Sequence, residues 1–380
     1  MDFDLTAEQR DRFSGLVDAV RKQLGSPLRE HPEGHFDREE WRTAASLGLT
    51  GLCLPAEYGG GGLGALDTAL ALQAFGRGCP DTGLVFGVAA HLLACATAVR
   101  DFADDLVRDE LLTGMASGEL VGANAITEDE AGSDASGLRT VAVRDGYDYV
   151  LDGEKSFASN APVSDILVTY AVTDPAAGFL GITGFVVPRT LPGIEISTPL
   201  AKMGLAGCPA GRVRFTQCRV PARYRLGVEG QGQAVFQHSM RWERTCLFAL
   251  YVGLMEEQLS RCVAHVRTRR QFGRPLGDFQ AISHRIAVMS QRLESARLLL
   301  YRACWLMDQG RVDQTAVSLA KVAVSEAAIA NGLDAIQIFG GSGYLVPTGI
   351  EQQLRDAVPS TLFSGTTEIH REIIAKEAGL

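Results

Sequence analysis

The sequence lacks the cysteine patterns of disulfide-linked and zinc-binding proteins. It contains no Cys-x-x-Cys pair and no cluster that combines cysteine with histidine. Scattered cysteines are typical of small buried residues in a reducing compartment, so we expect neither disulfides nor a metal site. The cysteines are Cys53, Cys79, Cys95, Cys208, Cys218, Cys246, Cys262 and Cys304.

Positive charge is also scarce. The 380 residues include 36 Lys and Arg against 45 Asp and Glu, which gives a formal net charge of −9. This balance offers no electrostatic reason to bind nucleic acid or an anionic membrane surface. We therefore expect neither of these partners.

Apolar runs long enough to span a membrane are missing as well. The most apolar run, residues 83–99, is short for a span and contains His91, so a buried core helix is the better interpretation. The first ten residues, MDFDLTAEQR, are acidic and polar, unlike a secretory signal. We expect a cytoplasmic protein.

The spacing of apolar residues divides the chain into three domains. Residues 1–118 have helical spacing, residues 119–227 alternate with a period of two, and helical spacing returns over 228–380. Asp145-Gly146 lies between two alternating runs and predicts a hairpin. The sequence thus predicts an α+β protein with helices at both ends and an antiparallel β-barrel or sandwich in the middle.

One acidic residue stands in an otherwise apolar helical row. The positions three and four residues away from Glu243 hold no base, so its carboxylate has no partner on its own helix. It is either paired with a base from another segment, placed at an exposed end, or buried with a raised pKa. The row, at steps of three and four, is Phe236, Met240, Glu243, Leu247, Leu250 and Leu254.

Five short segments at the junctions of the predicted elements are rich in Gly, Ser, Thr, Gln and Arg. Small residues bring backbone amides close together and these side chains donate hydrogen bonds, which suits a large polar cofactor with phosphates. The segments are AITEDEAGSD (125–134), GEKSFASNA (153–161), RTRRQFGRPLGDFQ (267–280), QIFGGSGY (337–344) and LFSGTTEIH (362–370).

In this order and at these intervals, the segments resemble the acyl-CoA dehydrogenase family of flavoproteins over essentially the whole chain. The resemblance implies a helical domain, a β-barrel and a C-terminal four-helix bundle, with FAD between the barrel and the bundle and usually a homotetramer. It assigns Ile126, Thr127, Phe157 and Ser159 to the flavin ring, and Ser133 to the substrate side.

The same resemblance assigns residues near the C-terminus to the rest of the cofactor. Thr366 and Glu368 complete the site. The residues implied to hold the adenosine diphosphate part, some of them across a subunit boundary, are Arg269, Phe272, Gln280, Gln337 and Gly341.

Two positions depart from the pattern of many family members. Many members carry the catalytic glutamate just before the Gly-Thr pair near the C-terminus, where this sequence has Ser364, and a serine has no basicity for that task. Other members, isovaleryl-CoA dehydrogenase among them, supply the glutamate from a bundle helix at the position that matches Glu243. Glu243 is therefore implied as the base. The second departure is Phe157, where many members have tryptophan.

Runs such as KSFASNAP and WERTCLFA resemble one branch of the family, the prolyl-carrier-protein dehydrogenases. This branch implies oxidation of an L-prolyl thioester on a peptidyl carrier protein to the pyrrole-2-carboxyl thioester, in two successive two-electron steps. Arg244 and Trp242 are then candidates for the substrate pocket, and Phe248 for its shape. Carrier proteins are usually acidic, so a local cluster of arginines near the entrance is expected.

Two other functions remain open from the sequence. One is a short or branched-chain acyl-CoA dehydrogenase, with the same chemistry on coenzyme A. The other, from a different class, is a flavin-binding relative that acts through a partner without turnover.

Overall fold

The computed structural model describes residues 4–25, 35–311 and 313–380. Helices, then strands, then helices follow each other along the chain. The larger of two hydrophobic core clusters runs through all three regions, from Val20 near the start to Ala357 near the end, and the smaller one lies within the C-terminal helices. The bounds of the three predicted domains stay a prediction.

The first region is a set of packed helices around the apolar run that the sequence singled out. That run lies in a helical stretch, Thr82–Phe102, which is 94% buried, as a core helix is. A second stretch, Gln314–Tyr344, is also long and apolar enough to cross a membrane by length and composition, and is 56% buried. The α-helices are α1 (Ala7–Leu24), α2 (Arg38–Ser46), α3 (Ala65–Gly78), α4 (Thr82–Ala90), α5 (Thr97–Phe102) and α6 (Asp105–Ala116).

The middle region is one eight-stranded sheet in the order β6-β7-β3-β2-β4-β5-β8, with β1 paired to β4. The hairpin predicted at Asp145-Gly146 joins β2 to β3, and Gly146 takes a positive φ of 65° there. The strands are β1 (Gly122–Ala125), β2 (Val141–Asp145), β3 (Asp148–Ser159), β4 (Ile166–Val172), β5 (Ile182–Pro188), β6 (Ile194–Ile196), β7 (Ala210–Pro221) and β8 (Arg225–Leu226).

Most neighbouring strands of this sheet pair antiparallel, as predicted, but two pairs are parallel. β4 pairs in parallel with β1 and, at Val141 and Val172, with β2. Parallel neighbours need a long connection, and the whole β2–β3 hairpin lies between β1 and β4. Alternation within each strand does not carry this information, because it is the same for both directions.

The last region is helical, with one small two-stranded ribbon between two of its long helices. Helix α10 packs against α8, α9, α11 and α12. The elements are α7 (Gly232–Trp242), α8 (Ala249–Thr268), β9 (Arg270–Gln271), β10 (Arg274–Pro275), α9 (Gln280–Asp308), α10 (Gln314–Phe339), α11 (Ile350–Ala357) and α12 (Thr367–Glu377).

Two glycines let the first and last regions approach closely. A Cβ added at Gly76 on α3 would stand 2.2 Å from the carbonyl oxygen of Leu250 on α8. One added at Gly253 would stand 2.0 Å from the carbonyl oxygen of Gln73. Because no side chain fits at either position, the two helices cross at backbone contact, and the N-terminal region is fixed against the C-terminal helices.

A buried ion pair holds the loop between β1 and β2. The Lys155 ammonium lies 2.7 Å from a carboxylate oxygen of Glu128, and its side chain is fully buried. Glu128 also accepts hydrogen bonds from the backbone N–H groups of Arg139 (2.7 Å) and Thr140 (3.0 Å). Burial lowers the pKa of Lys155 to about 8, since it penalises the charged form more than Glu128 favours it. These three contacts tie both ends of the loop together.

Replacing Lys155 with methionine should therefore destabilise the protein strongly. The substitution leaves the Glu128 carboxylate buried without its cation, which costs about 3–5 kcal/mol. Urea denaturation followed by circular dichroism measures the change. The matched control is Lys155→Met combined with Glu128→Gln, which removes both charges and should recover much of the loss. A single variant as stable as the wild type would show that the pair does not hold the loop.

Candidate active site

All three regions contribute walls to one large cavity of 1160 Å³. Pockets for a single small ligand usually measure about 300–1,000 Å³, so this one has room for a large ligand or for two. The helical wall includes Phe86, Ala90, Ala94, Phe236 and Met240. The facing walls come from the loop after β1, from β3, from the segment 200–210 and from the turn 362–366.

Glu243 lies in the helical wall, where the regular α-helix is interrupted. Helix α7 ends at Trp242, and the next five residues, Glu243–Leu247, form a π-helical segment before α8 begins. A π-turn holds one extra residue, so it changes the direction in which the following side chains point. Phe236 and Met240 line the cavity together with Glu243. Leu247 lies instead in the core, fully buried.

The predicted apolar row is buried beyond Glu243 as well, but it lines the cavity only up to that residue. Beyond it, the row belongs to the packing of α8 and not to the cavity. A second π-helical segment, His91–Ala96, packs against the first. π-segments often mark functional sites because they are costly to form. Apolar spacing alone did not indicate either segment.

The Glu243 carboxyl group is buried, with 8% of the residue exposed. Burial raises its pKa, while a hydrogen bond from the Ser364 hydroxyl and the nearby charge of Arg244 act in the opposite direction. The net pKa is above the usual range of a glutamate. Of the three alternatives raised by the sequence, the structure shows burial with a raised pKa. The nearby positive charge comes from Arg244, the next residue of the same π-helical segment, and not from a base in another segment.

The turn opposite Glu243 is held from several sides. Ser364 and Gly365 both have positive φ, at 57° and 92°. Arg244 donates from Nε to the carbonyl oxygen of Ser364 at 2.8 Å. Phe363 packs its ring against that of Phe86 at 4.8 Å and so joins the turn to the N-terminal region. These contacts fix the turn in place as part of the cavity wall.

The β-sheet wall contains the residues that the resemblance assigns to the flavin ring and to the substrate side. Ile126, Thr127, Phe157, Ser159 and Ser133 all line the cavity. So do Arg244 and Thr366.

Local backbone geometry positions this wall. Phe157 has a φ of 57° and a residue exposure of 61%, so its ring stands free at the cavity surface. The backbone N–H of Ser156 donates to the Thr127 carbonyl oxygen at 2.7 Å. Asn160, with a φ of 64°, donates from Nδ2 to the Gly87 carbonyl oxygen at 2.8 Å. These bonds fix the end of β3 against the first loop and against α4.

Trp242 lies outside the cavity lining. Its ring stacks against the Arg100 guanidinium, with 4.8 Å between the guanidinium carbon and the ring centre. Trp242 thus contacts Arg100 and not the cavity, whereas Arg244, two residues further on, lines it. Phe248 is fully buried outside the cavity lining, and its ring lies 5.5 Å from that of Phe363, which lines the cavity.

The residues that the resemblance assigns to the adenosine diphosphate part lie away from this cavity in the single chain. They cluster at the ribbon and helix ends beyond α8 and α10, and all are exposed, Phe272 at 92%. Glu368 is exposed in the first turn of α12, next to Thr366. The exposed residues are Arg269, Phe272, Gln280, Gln337 and Gly341.

Several cavity residues carried no signal in the sequence. Asn124 lines the cavity with a buried side-chain oxygen that has no hydrogen-bond partner in the described part of the chain. Lys202 also lines it and donates from Nζ to the carbonyl oxygens of Leu205 (2.7 Å) and Cys208 (2.6 Å).

Within residues 4–25, 35–311 and 313–380, no group of three metal-binding side chains occurs.

Three family models cover nearly the whole chain. They are the N-terminal domain of acyl-CoA dehydrogenase at residues 6–119, its middle domain at 123–218 and its C-terminal domain at 230–379. The chain belongs to the acyl-CoA dehydrogenase family. The resemblance noted in the sequence and the fold class are thereby confirmed.

Individual members of the family show which branch the chain is similar to. An L-prolyl-[peptidyl-carrier protein] dehydrogenase of Pseudomonas fluorescens is 53% identical over 100% of both chains. A crystal structure of an FAD-dependent dehydrogenase has 40% identity, a TM-score of 0.95 and full coverage of both chains. The structure of PigA with FAD and proline has 37% identity, a TM-score of 0.93 and the same coverage. The similarity to the prolyl-carrier branch is confirmed.

Proposed function

We propose that this acyl-CoA dehydrogenase family member is an FAD-dependent enzyme that oxidises an L-prolyl thioester carried on a peptidyl carrier protein. The observation that carries the proposal is the buried Glu243 carboxyl group in the wall of a cavity that is large enough for a cofactor and a substrate. The prolyl-carrier enzyme that is 53% identical over the full length supports the choice of substrate.

The residues of the cavity fit a flavin. The free Phe157 ring offers an apolar surface, and Thr127, Ser159 and Thr366 offer polar groups. The side-chain oxygen of Asn124, another lining residue, is buried without a hydrogen-bond partner in the described part of the chain, as a group that a cofactor donor would satisfy is. When bound, the flavin accepts the two electrons and the hydrogen that leave the β-carbon.

Glu243 has the properties of the base in this reaction. A thioester carbonyl acidifies the neighbouring α-carbon, and the proton moves from that carbon to the carboxylate of Glu243. Burial in the cavity wall raises the pKa of Glu243, so its carboxylate is a stronger base than one in water. Each round removes two hydrogens from the tethered ring, and an external electron acceptor would have to restore the oxidised flavin before the next round. Two such rounds turn a prolyl group into a pyrrole-2-carboxyl group.

Cationic groups beside the cavity support a carrier protein as partner. A small neighbouring pocket shares three lining residues with the cavity (Gln237, Arg244 and Gln314) and is also lined by Arg241, Arg311 and Asp313. Within the described part of the chain, neither the Arg241 nor the Arg311 guanidinium forms a hydrogen bond or an ion pair. Their charge supports a local contact with an acidic carrier, despite the net charge of −9.

The residues assigned to the adenosine diphosphate part of FAD are exposed at the ends of α8 and α10. Their exposure supports an assembly in which one subunit completes the cofactor site of another. We therefore extend the proposal to a homotetramer in which Arg269 contacts the FAD pyrophosphate of a neighbouring subunit. The exposure of Arg269 and Phe272 in the single chain is consistent with such a boundary.

Replacing Glu243 with glutamine should preserve folding and flavin binding but remove the base. We expect anaerobic flavin reduction by prolyl-carrier protein to slow by about 10²–10⁴-fold, the usual contribution of a general base. Stopped-flow absorbance of the flavin gives the rate. The control is Glu372→Gln on α12, which removes an exposed carboxylate paired with Lys376. Reduction of Glu243→Gln at nearly the wild-type rate would rule out Glu243 as the base.

Replacing Arg269 with alanine should weaken flavin binding. The lost charge-assisted contact is worth about 1.5–3 kcal/mol, or roughly 10–100-fold in dissociation constant. The measurement is a titration of flavin-free protein with FAD, together with the flavin-to-protein absorbance ratio after gel filtration. Arg267→Ala, an equally exposed arginine two residues away, is the control. Equal affinity in both variants would exclude a contact between Arg269 and the pyrophosphate.

A further inference from the structure

Ser364 lies at the centre of a hydrogen-bond chain that ends on Glu243. Its hydroxyl donates to Oε1 of Glu243. Its carbonyl oxygen accepts from Nε of Arg244 at 2.8 Å and contacts Nε2 of His370 at 3.1 Å. Nδ1 of His370 lies 3.0 Å from the hydroxyl oxygen of Ser318 on α10. The chain thus connects α10 and α12 to the cavity wall.

The protonation state of His370 follows from its surroundings. Burial lowers its pKa to about 4, so the ring is neutral near pH 7 and carries a single N–H. The Ser364 carbonyl oxygen can only accept, so the hydrogen is on Nε2 and Nδ1 accepts from Ser318. Every group in the chain therefore has one defined role as donor or acceptor.

The backbone of Ser364 is held in an unfavourable conformation. A φ of 57° is uncommon for a residue with a Cβ, and a serine there is less stable than a glycine. The two donors on its carbonyl oxygen keep it in place. Backbone strain that several contacts maintain is found mostly at functional positions. Here the strained backbone sets the direction of the Ser364 hydroxyl group.

We propose that Ser364 is a positioning residue that orients the Glu243 carboxylate for proton abstraction, with Arg244 and His370 holding it in place through its carbonyl oxygen. The inference rests on the proposed function for the role of Glu243, and it gives the serine a role at the place where other family members carry the base.

The groups that face Glu243 explain why this hydroxyl matters. Burial raises the pKa of both Cys95 and Tyr170, and the nearby charge of Glu243 raises each a little further, so both stay neutral. Arg244 and Ser364 are the groups that favour the ionised carboxylate. A hydrogen bond to the charged form lowers a pKa. Removing the hydroxyl should therefore leave the carboxylate protonated up to a higher pH.

The first test is the pH dependence of anaerobic flavin reduction by prolyl-carrier protein in Ser364→Ala and Ser364→Gly. Both variants lose the hydroxyl, and the glycine variant also loses the backbone strain. We expect the acid limb of the rate profile to move upward by about one pH unit in both, with a modest change of rate at high pH. Thr361→Val, which removes a hydroxyl bonded only to the Val358 carbonyl oxygen, is the control and should keep the wild-type profile.

The second test does not depend on turnover. The infrared carboxyl band of protonated Glu243 is identified by its loss in Glu243→Gln and then titrated in the flavin-loaded protein without substrate. Its midpoint should be higher in Ser364→Ala than in the wild type. If Glu243→Gln reduced flavin normally, the proposed function would fail, yet this titration would still test the hydrogen bond. Unchanged midpoints and profiles in both Ser364 variants would overturn the inference.

Discussion

The burial of one carboxyl group is the constraint on which the rest of the site depends. Glu243 is 8% exposed in a wall that is otherwise mainly apolar, and isolated carboxylates are costly in such places. The protein tolerates this cost through the Ser364 hydroxyl, the neighbouring Arg244 and a π-helical segment that turns the side chain into the cavity. The same burial makes the group a stronger base, so the destabilising feature is also the useful one.

The fold supplies what this carboxyl group needs, which is a cavity with fixed walls. Contact between backbones at Gly76 and Gly253 fixes the N-terminal helices against α8, the helix that continues from the π-segment of Glu243. The buried pair of Lys155 and Glu128 fixes the loop of the opposite wall. One continuous core runs through all three regions, so the two walls keep their distance and a flavin and a thioester can be held between them.

Sequence reasoning recovered the α+β class, the family and an acid in an apolar row, because each depends on local periodicity or on short segments. It did not recover the contact between Glu243 and Ser364, which are 121 residues apart. It also named Trp242 as a substrate candidate, whereas its ring stacks against Arg100 outside the cavity lining. The π-segment and the two parallel strand pairs depend on tertiary packing, which apolar spacing does not encode.

The most direct measurement mixes oxidised enzyme anaerobically with prolyl-carrier protein, prolyl-CoA, free proline and isovaleryl-CoA, and follows flavin absorbance. We expect rapid reduction by the prolyl-carrier protein alone, and a loss of four hydrogens from the tethered group after turnover in air. Reduction by isovaleryl-CoA at an equal or higher rate would contradict it and would indicate an ordinary branched-chain acyl-CoA dehydrogenase.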